Sequence, residues 1–159
     1  MKKIILGAIV AAYLVAAVPV SAQSEVNSSQ SASAFLVELS WGNVRAQYGK
    51  VWSKLHPRYQ RVTTRAFWEA CQRKKDKAAA GIDVHAIRAI DEYPDTVTLP
   101  VLGSVKVRAV TLEMRYSHPL LGINKKMVDT VYALKWGSTW KGLWEPETYT
   151  AYAKWRCPA

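Results

Sequence analysis

The chain has 159 residues, half of them hydrophobic, and carries 22 Lys/Arg against 12 Asp/Glu, a formal charge of +10 at pH 7. That composition excludes an intrinsically disordered or collagen-like chain, and the length suits one domain with a sizeable core. Its two cysteines exclude a disulfide-dense scaffold, and with His56, His85 and His118 scattered they lack metal-ligand spacing.

Residues 1–22 read as a secretory signal peptide. Lys2 and Lys3 precede an apolar run over 4–18, and Val20-Ser21-Ala22 places small residues before a cut after Ala22. A retained membrane anchor is the alternative, for which that run is short. Export predicts a secreted, periplasmic or cell-envelope protein with no transmembrane segment past the leader. A polar, Ser-rich leader over 23–33 is then followed by a single domain over 34–159. Without Lys2 and Lys3 the net charge is +8, and residues 45–77 carry all of it: ten Lys/Arg against Glu69 and Asp76. An oxidising compartment favours a Cys71–Cys157 bridge, the one intramolecular pairing that two cysteines permit. Two buried thiols or an intermolecular link are the alternatives.

Ser31 or Ser33 is placed to cap a first helix. Its apolar face runs through Ala34, Val37, Trp41, Val44 and Tyr48 at steps of three and four, and Gly49 marks its end. Val51, Trp52 and Leu55 make a short second helix that His56-Pro57 closes, because the residue before proline avoids helical geometry. After a linker, Thr63-Thr64 caps a third helix whose stripe is Phe67, Trp68 and Cys71. Past Gly81 the pattern turns to strands over 84–90, 96–102 and 105–116. In the last of these the apolar positions pass from odd numbers (Val105, Val107, Ala109) to even ones (Val110, Leu112, Met114). That flip predicts a β-bulge near residue 109 and a bent sheet. Residues 118–126 read as a loop. Val128, Thr130, Tyr132, Leu134 and Trp136 alternate along a further strand, and a turn over 137–139 leads to a last strand over 140–144. Pro146 opens a tail with one or two helical turns. About three N-terminal helices on a strongly bent antiparallel sheet make an α+β layout.

A set of short strings runs through this layout: Val51-Trp52 with Leu55-His56-Pro57, then Gln60, Val62 and Arg65 leading to Cys71, and Tyr93 with Val97 and Leu99-Pro100. Together with Ala109-Val110-Thr111-Leu112, Trp140, and Tyr149 and Tyr152 with Arg156-Cys157-Pro158, they resemble the NTF2-like superfamily, a cone-shaped α+β fold. More narrowly, the chain is similar to small secreted bacterial members of unknown function. The resemblance implies an NTF2-like cone and a Cys71–Cys157 pair tying the third helix to the C-terminal tail. It carries no function, since members use the cone for unrelated tasks.

An isomerase or dehydratase on such a cone needs a carboxylate base or a His–Asp pair facing an oxyanion-stabilising donor. By residue type the candidates are Asp91, His85, His118 and Asp129, with Tyr116 and Tyr132. None can be matched to a catalytic position of the superfamily. His85 and Asp91 share a strand face provided no bulge lies between them, and Asp129 alternates with the apolar set of its strand. No nucleophile elbow, phosphate-binding glycine loop or zinc motif occurs, so neither cofactor nor metal is expected. Lys50, Lys54, Arg58, Arg61 and Arg65 recur at steps of four, four, three and four, a basic face for a continuous helix that Pro57 and Thr63-Thr64 interrupt. Most of the seven Trp and eight Tyr serve the core, with others available to a cone mouth that grips a sugar, lipid or peptide. The expectation is an exported non-enzymatic domain binding an anionic envelope component, an acidic protein or a small apolar ligand. A small-molecule isomerase, dehydratase or hydrolase using the cone pocket is the alternative. Nucleic acid is the least expected partner of an exported chain, and the oligomeric state is left open.

Overall fold

The computed structural model describes residues 30–120 and 122–158. The expected signal peptide and most of the leader lie outside these residues. Ser31 accepts a hydrogen bond from the Ala34 N–H at 3.1 Å and starts α1 (Ala32–Val44), so the helix takes in the last two residues of the expected leader. α1 buries Ala32, Phe35 and Leu36, with Leu39 packed beside them. Of the expected face, Val37 and Trp41 pack partly buried at the edge of this cluster, Ala34 and Val44 are exposed, and Tyr48 is buried in a different cluster. The helix is apolar on two stripes, and its anchor selects one: the Glu92 carboxylate on the sheet accepts from the Ser33 N–H at 3.1 Å and from the Ser33 hydroxyl.

The chain turns at residues 45–47, with Ala46 at φ 52°, and enters α2 (Tyr48–Lys54), so Gly49 lies inside α2 rather than ending α1. Leu55 is extended and bridges Gly142 in parallel. Pro57 does close α2, but its fixed φ also suits a first helical position, and it starts an additional turn, α3 (Pro57–Gln60). Thr64 caps α4 (Arg65–Ala78), its hydroxyl accepting from the Phe67 N–H at 3.2 Å. Among the described residues four helices thus precede the sheet where about three were expected, and α5 (Pro146–Ala153) follows it.

The sheet is an antiparallel meander in chain order: β1 (Asp83–Leu99), β2 (Gly103–His118), β3 (Gly122–Trp136) and β4 (Thr139–Gly142). The two strands expected over 84–90 and 96–102 are one, because β1 is an edge strand and tolerates Pro94. The expected loop over 118–126 contracts to a turn, with Lys125 and Lys126 in register with Tyr116 and Arg115. β2 passes residue 109 without a bulge. The register shifts of β1 lie between Val84 and Ala86 and between Ala89 and Asp91, where His85 and Ile90 are extra and bend the edge. A further shift stands at Tyr116/His118, beside the turn.

The phase change along β2 has another cause: this central strand is covered on both sides. Val110 and Leu112 face α1 together with Ile87 and Ala133. Ala109, fully buried, lies on the opposite face in the row between Tyr93 and Tyr132. In β3 the residues packed under α1 are accordingly Val131 and Ala133, not the alternating set that contains Tyr132.

A second cluster joins α2 to α5 around Trp144, with Val51, Leu55, Tyr59, Trp68 and Tyr152. Trp144 stacks on Tyr59, 5.3 Å between ring centres, and meets Tyr152 at 4.7 Å. The sulfurs of Cys71 and Cys157 are 2.09 Å apart, at bonding distance, and hold the chain's far end on α4. Gly42 lets α1 approach α2, since a Cβ there would stand 2.8 Å from Val51 Cγ2. Among the described residues no helix is long and apolar enough to cross a membrane.

Candidate functional site

The four candidate acids and bases do not converge. Asp91 lies in the row Asp91–Thr111–Thr130 on one face of the sheet, its Oδ1 accepting from the Glu92 N–H at 2.9 Å. Asp129 pairs with Leu112 on the α1 side and is exposed, its Oδ1 accepting from the Thr130 N–H at 2.8 Å. His118 ends β2, where its Nδ1 accepts from the Leu120 N–H at 3.1 Å. The regular face expected for His85 and Asp91 is broken, because His85 is itself an extra residue and Ile90 is a second one between them.

His85 does meet two residues that sequence reasoning missed. Its Nε2 lies 2.6 Å from Ser117 Oγ and its Nδ1 3.6 Å from Asp83 Oδ2, the atom order of a nucleophile, base and orienting acid. Only strand pairing brings them together: Asp83 and Ser117 are register partners on β1 and β2. The cluster is open to solvent, with the His85 side chain 41% and the Asp83 side chain 80% exposed. It borders neither of the concavities described next.

A cavity of about 230 Å³ lies among α1, α2, α4, α5 and the sheet. Leu36, Val51, Trp68 and Trp144 give it apolar walls, Asn43, Gln72, Lys75 and Tyr152 are among its polar groups, and among the described residues no Asp, Glu or His lines it. Gln72 donates to the Tyr152 hydroxyl at 2.9 Å. Burial pushes the Tyr152 and Tyr59 phenols up to about 12. Both therefore stay neutral, and neither is matched to acid–base work near neutral pH.

The second concavity is a groove of about 450 Å³ between α1 and α2, with Val37, Leu39 and Val51 as apolar lining. Arg45 stands over Trp41 at its edge, 4.8 Å from the ring centre. Lys50 and Lys54 come from α2, and Glu38 of α1 pairs with Lys54 at 2.5 Å. Hydrogen bonds from Lys54 and then Gln30 hold the Glu38 carboxyl below its ordinary value.

The five-residue basic stripe is divided. Lys50 and Lys54 line the groove. Arg58 donates to the Val101 carbonyl at 2.6 Å and, with Arg61, borders an open depression beside Tyr149. Arg65 pairs with Glu69 at 2.6 Å. The extended Leu55 and the added α3 redirect the chain between these groups. Of the ten cations in 45–77, Lys54, Arg65 and Arg73 have carboxylate partners, and seven have none among the described residues.

His56 sits beneath this region, fully buried. Its Nδ1 accepts from the Arg58 N–H at 3.2 Å, which leaves the proton of the neutral ring on Nε2. The ring meets Trp136 edge-on at 4.6 Å, and Nε2 has no hydrogen-bond partner among the described residues. Burial, then Arg58 and Lys141, pushes its pKa below the ordinary 6.5. The unfolded chain therefore binds a proton that the folded chain refuses as pH falls through 6.5, so stability is full above that pH and declines below it. The urea midpoint is expected to fall between about pH 7.5 and about pH 5.5, and the decline to be shallower in His56→Gln. An unchanged midpoint over that interval would contradict a buried neutral imidazole. Below 4.5 the carboxylates Glu38, Glu69 and Glu113, held low chiefly by Lys54, Arg65 and Arg115, add a second loss of the same sign.

Comparison with known proteins finds no matching family model, no matching curated protein and no matching solved structure.

Proposed function

We propose that this chain is an exported, non-enzymatic domain of the NTF2-like type that binds an anionic, partly apolar ligand or partner in the α1–α2 groove. The observation that carries the reading is the groove's make-up: Arg45, Lys50 and Lys54 stand around Val37, Leu39 and Val51, with Glu38 the one carboxylate among the described residues. A carboxylate or phosphate head meets the cations while an acyl or aromatic portion covers the apolar lining. Helices packed over a bent antiparallel sheet support the cone assignment, and the paired cysteines support export. The cavity's largely apolar walls, Leu36, Val51, Trp68 and Trp144, support binding over turnover.

Laurate, a twelve-carbon carboxylate, is the probe, read by tryptophan fluorescence and calorimetry. Arg45→Glu/Lys50→Glu is expected to weaken its binding about tenfold or more, and Arg58→Glu/Arg61→Glu by less than about twofold. Equal losses in the two variants would move the site out of the groove, and a wild-type chain indifferent to laurate would remove an acyl anion as ligand.

A second reading, a serine-type hydrolase, rests on the 2.6 Å contact between His85 and Ser117 and places the chemistry outside the cavity. It requires Ser117 to react with a fluorophosphonate and to lose that reactivity in His85→Ala. An unlabelled Ser117 ends it.

A further inference from the structure

Among the described residues of the β2–β3 hairpin tip, Leu120 in the turn and Ile123 at the start of β3 stand almost wholly in water, 89% and 80% exposed. Single exposed leucines are ordinary, but two at one hairpin tip form a projecting apolar point. The connection from α4 to β1 lies against it. A Cβ on Gly81 would stand 3.4 Å from the Pro119 ring, and the next residue, Ile82, is exposed as well. Cations frame this end: Arg115, Lys125 and Lys126 on the hairpin, and Lys74 and Lys77 on the last turns of α4 leading to Gly81.

The acids nearby do not cancel them. Asp76 and Asp83 are exposed, and the buried Glu113 is shared by Arg88, Arg115 and Lys126 at 2.8, 3.0 and 3.8 Å. Cations outnumber acids around an apolar tip.

We propose that this end of the molecule docks on an anionic phospholipid surface, with Leu120 and Ile123 entering the boundary between headgroups and acyl chains. Apolar side chains that project from a hairpin leave water by inserting roughly 5–10 Å into a bilayer surface, while lysines and arginines around them meet phosphates. Two projecting aliphatic side chains by themselves fall well short of the roughly 1,200 Å² that a stable protein–protein interface buries. An acidic protein is therefore the less fitting partner. The surface is separate from the α1–α2 groove, so either assignment can fail without the other.

The test uses the full chain carrying Ile123→Cys, labelled with an environment-sensitive nitrobenzoxadiazole, the native cysteines being paired with each other. Val101→Cys, on the β1–β2 turn at the opposite end of the meander, is the control. With phosphatidylglycerol-containing vesicles the label at 123 is expected to brighten and shift to the blue, while the label at 101 does not respond. Vesicles of phosphatidylcholine alone should give little change. Adding Leu120→Ser should raise the lipid needed for half the response about tenfold, and raising salt to about 0.5 M should weaken it. A silent label at 123, equal responses at 123 and 101, or the same shift with soluble polyglutamate in place of lipid would overturn the proposal. Because the label reports the tip itself, binding through any other segment does not imitate the expected result.

Discussion

Under non-reducing conditions the double variant Cys71→Ser/Cys157→Ser is expected to melt about 10–20 °C below the parent. The two cysteines are 86 residues apart in sequence, so the bond removes a large loop from the unfolded ensemble, worth about 4–5 kcal/mol in the chain-entropy description. The folded side adds to this. Cys71 is fully buried in the α4 face, and the bond returns the C-terminal segment to the cluster where α5 contributes Tyr152. Replacing both cysteines avoids a free thiol. Thermal unfolding followed by circular dichroism, with the parent before and after reduction, measures the effect. A variant melting within about 3 °C of the oxidised parent would mean that the bond constrains little that the packing does not already hold.

Trp144→Ala is expected to destabilise the fold by about 3–5 kcal/mol, the range of a large aromatic lost from a core. The indole is 7% exposed, stacks on Tyr59, touches Tyr152 and Trp52, and closes one side of the 230 Å³ cavity. Its removal enlarges a space that the surrounding rings cannot collapse to fill, because four helices meet there. Tyr59→Phe supplies the contrast. The Tyr59 hydroxyl is buried with no hydrogen-bond partner among the described residues, so its loss should change stability by less than about 1 kcal/mol, or raise it. Urea denaturation of both variants decides the matter. A cost below about 1 kcal/mol for Trp144→Ala, or similar costs for the two, would show that this cluster is not the keystone described.

The elements whose signals are local were legible in the sequence. Of the expected cap candidates, Ser31 rather than Ser33 and Thr64 of the Thr63-Thr64 pair do the capping, because a cap depends on a hydroxyl and the N–H three residues on. His56-Pro57 ended α2 as its backbone restriction requires, although the same proline was also able to begin α3. The stripe of α1 is ambiguous in the sequence, since Val37 and Trp41 are as apolar as Phe35 and Leu36, and only the sheet below chooses which pair is fully buried. The change of phase in β2 was seen correctly but has two-sided burial as its cause, which one strand's sequence cannot distinguish from a bulge. Of the candidate site, Lys50 and Lys54 are legible in the sequence as part of a basic repeat, whereas the approach of Arg45 and the apolar lining that makes a groove of them depend on how α1 packs on α2.

By itself, then, the sequence determined the α+β order of elements, the helix caps and the concentration of positive charge over 45–77, all of which depend on residue type and near neighbours. Only the tertiary structure decided which faces are buried, that His85 and Ile90 bulge from the edge strand, that Ser117 and Asp83 meet His85, and that the basic stripe parts into separate surfaces. The physical reason is the same in each case. Several local patterns satisfy the backbone equally well, and contacts between residues far apart in the chain select one of them by what they bury.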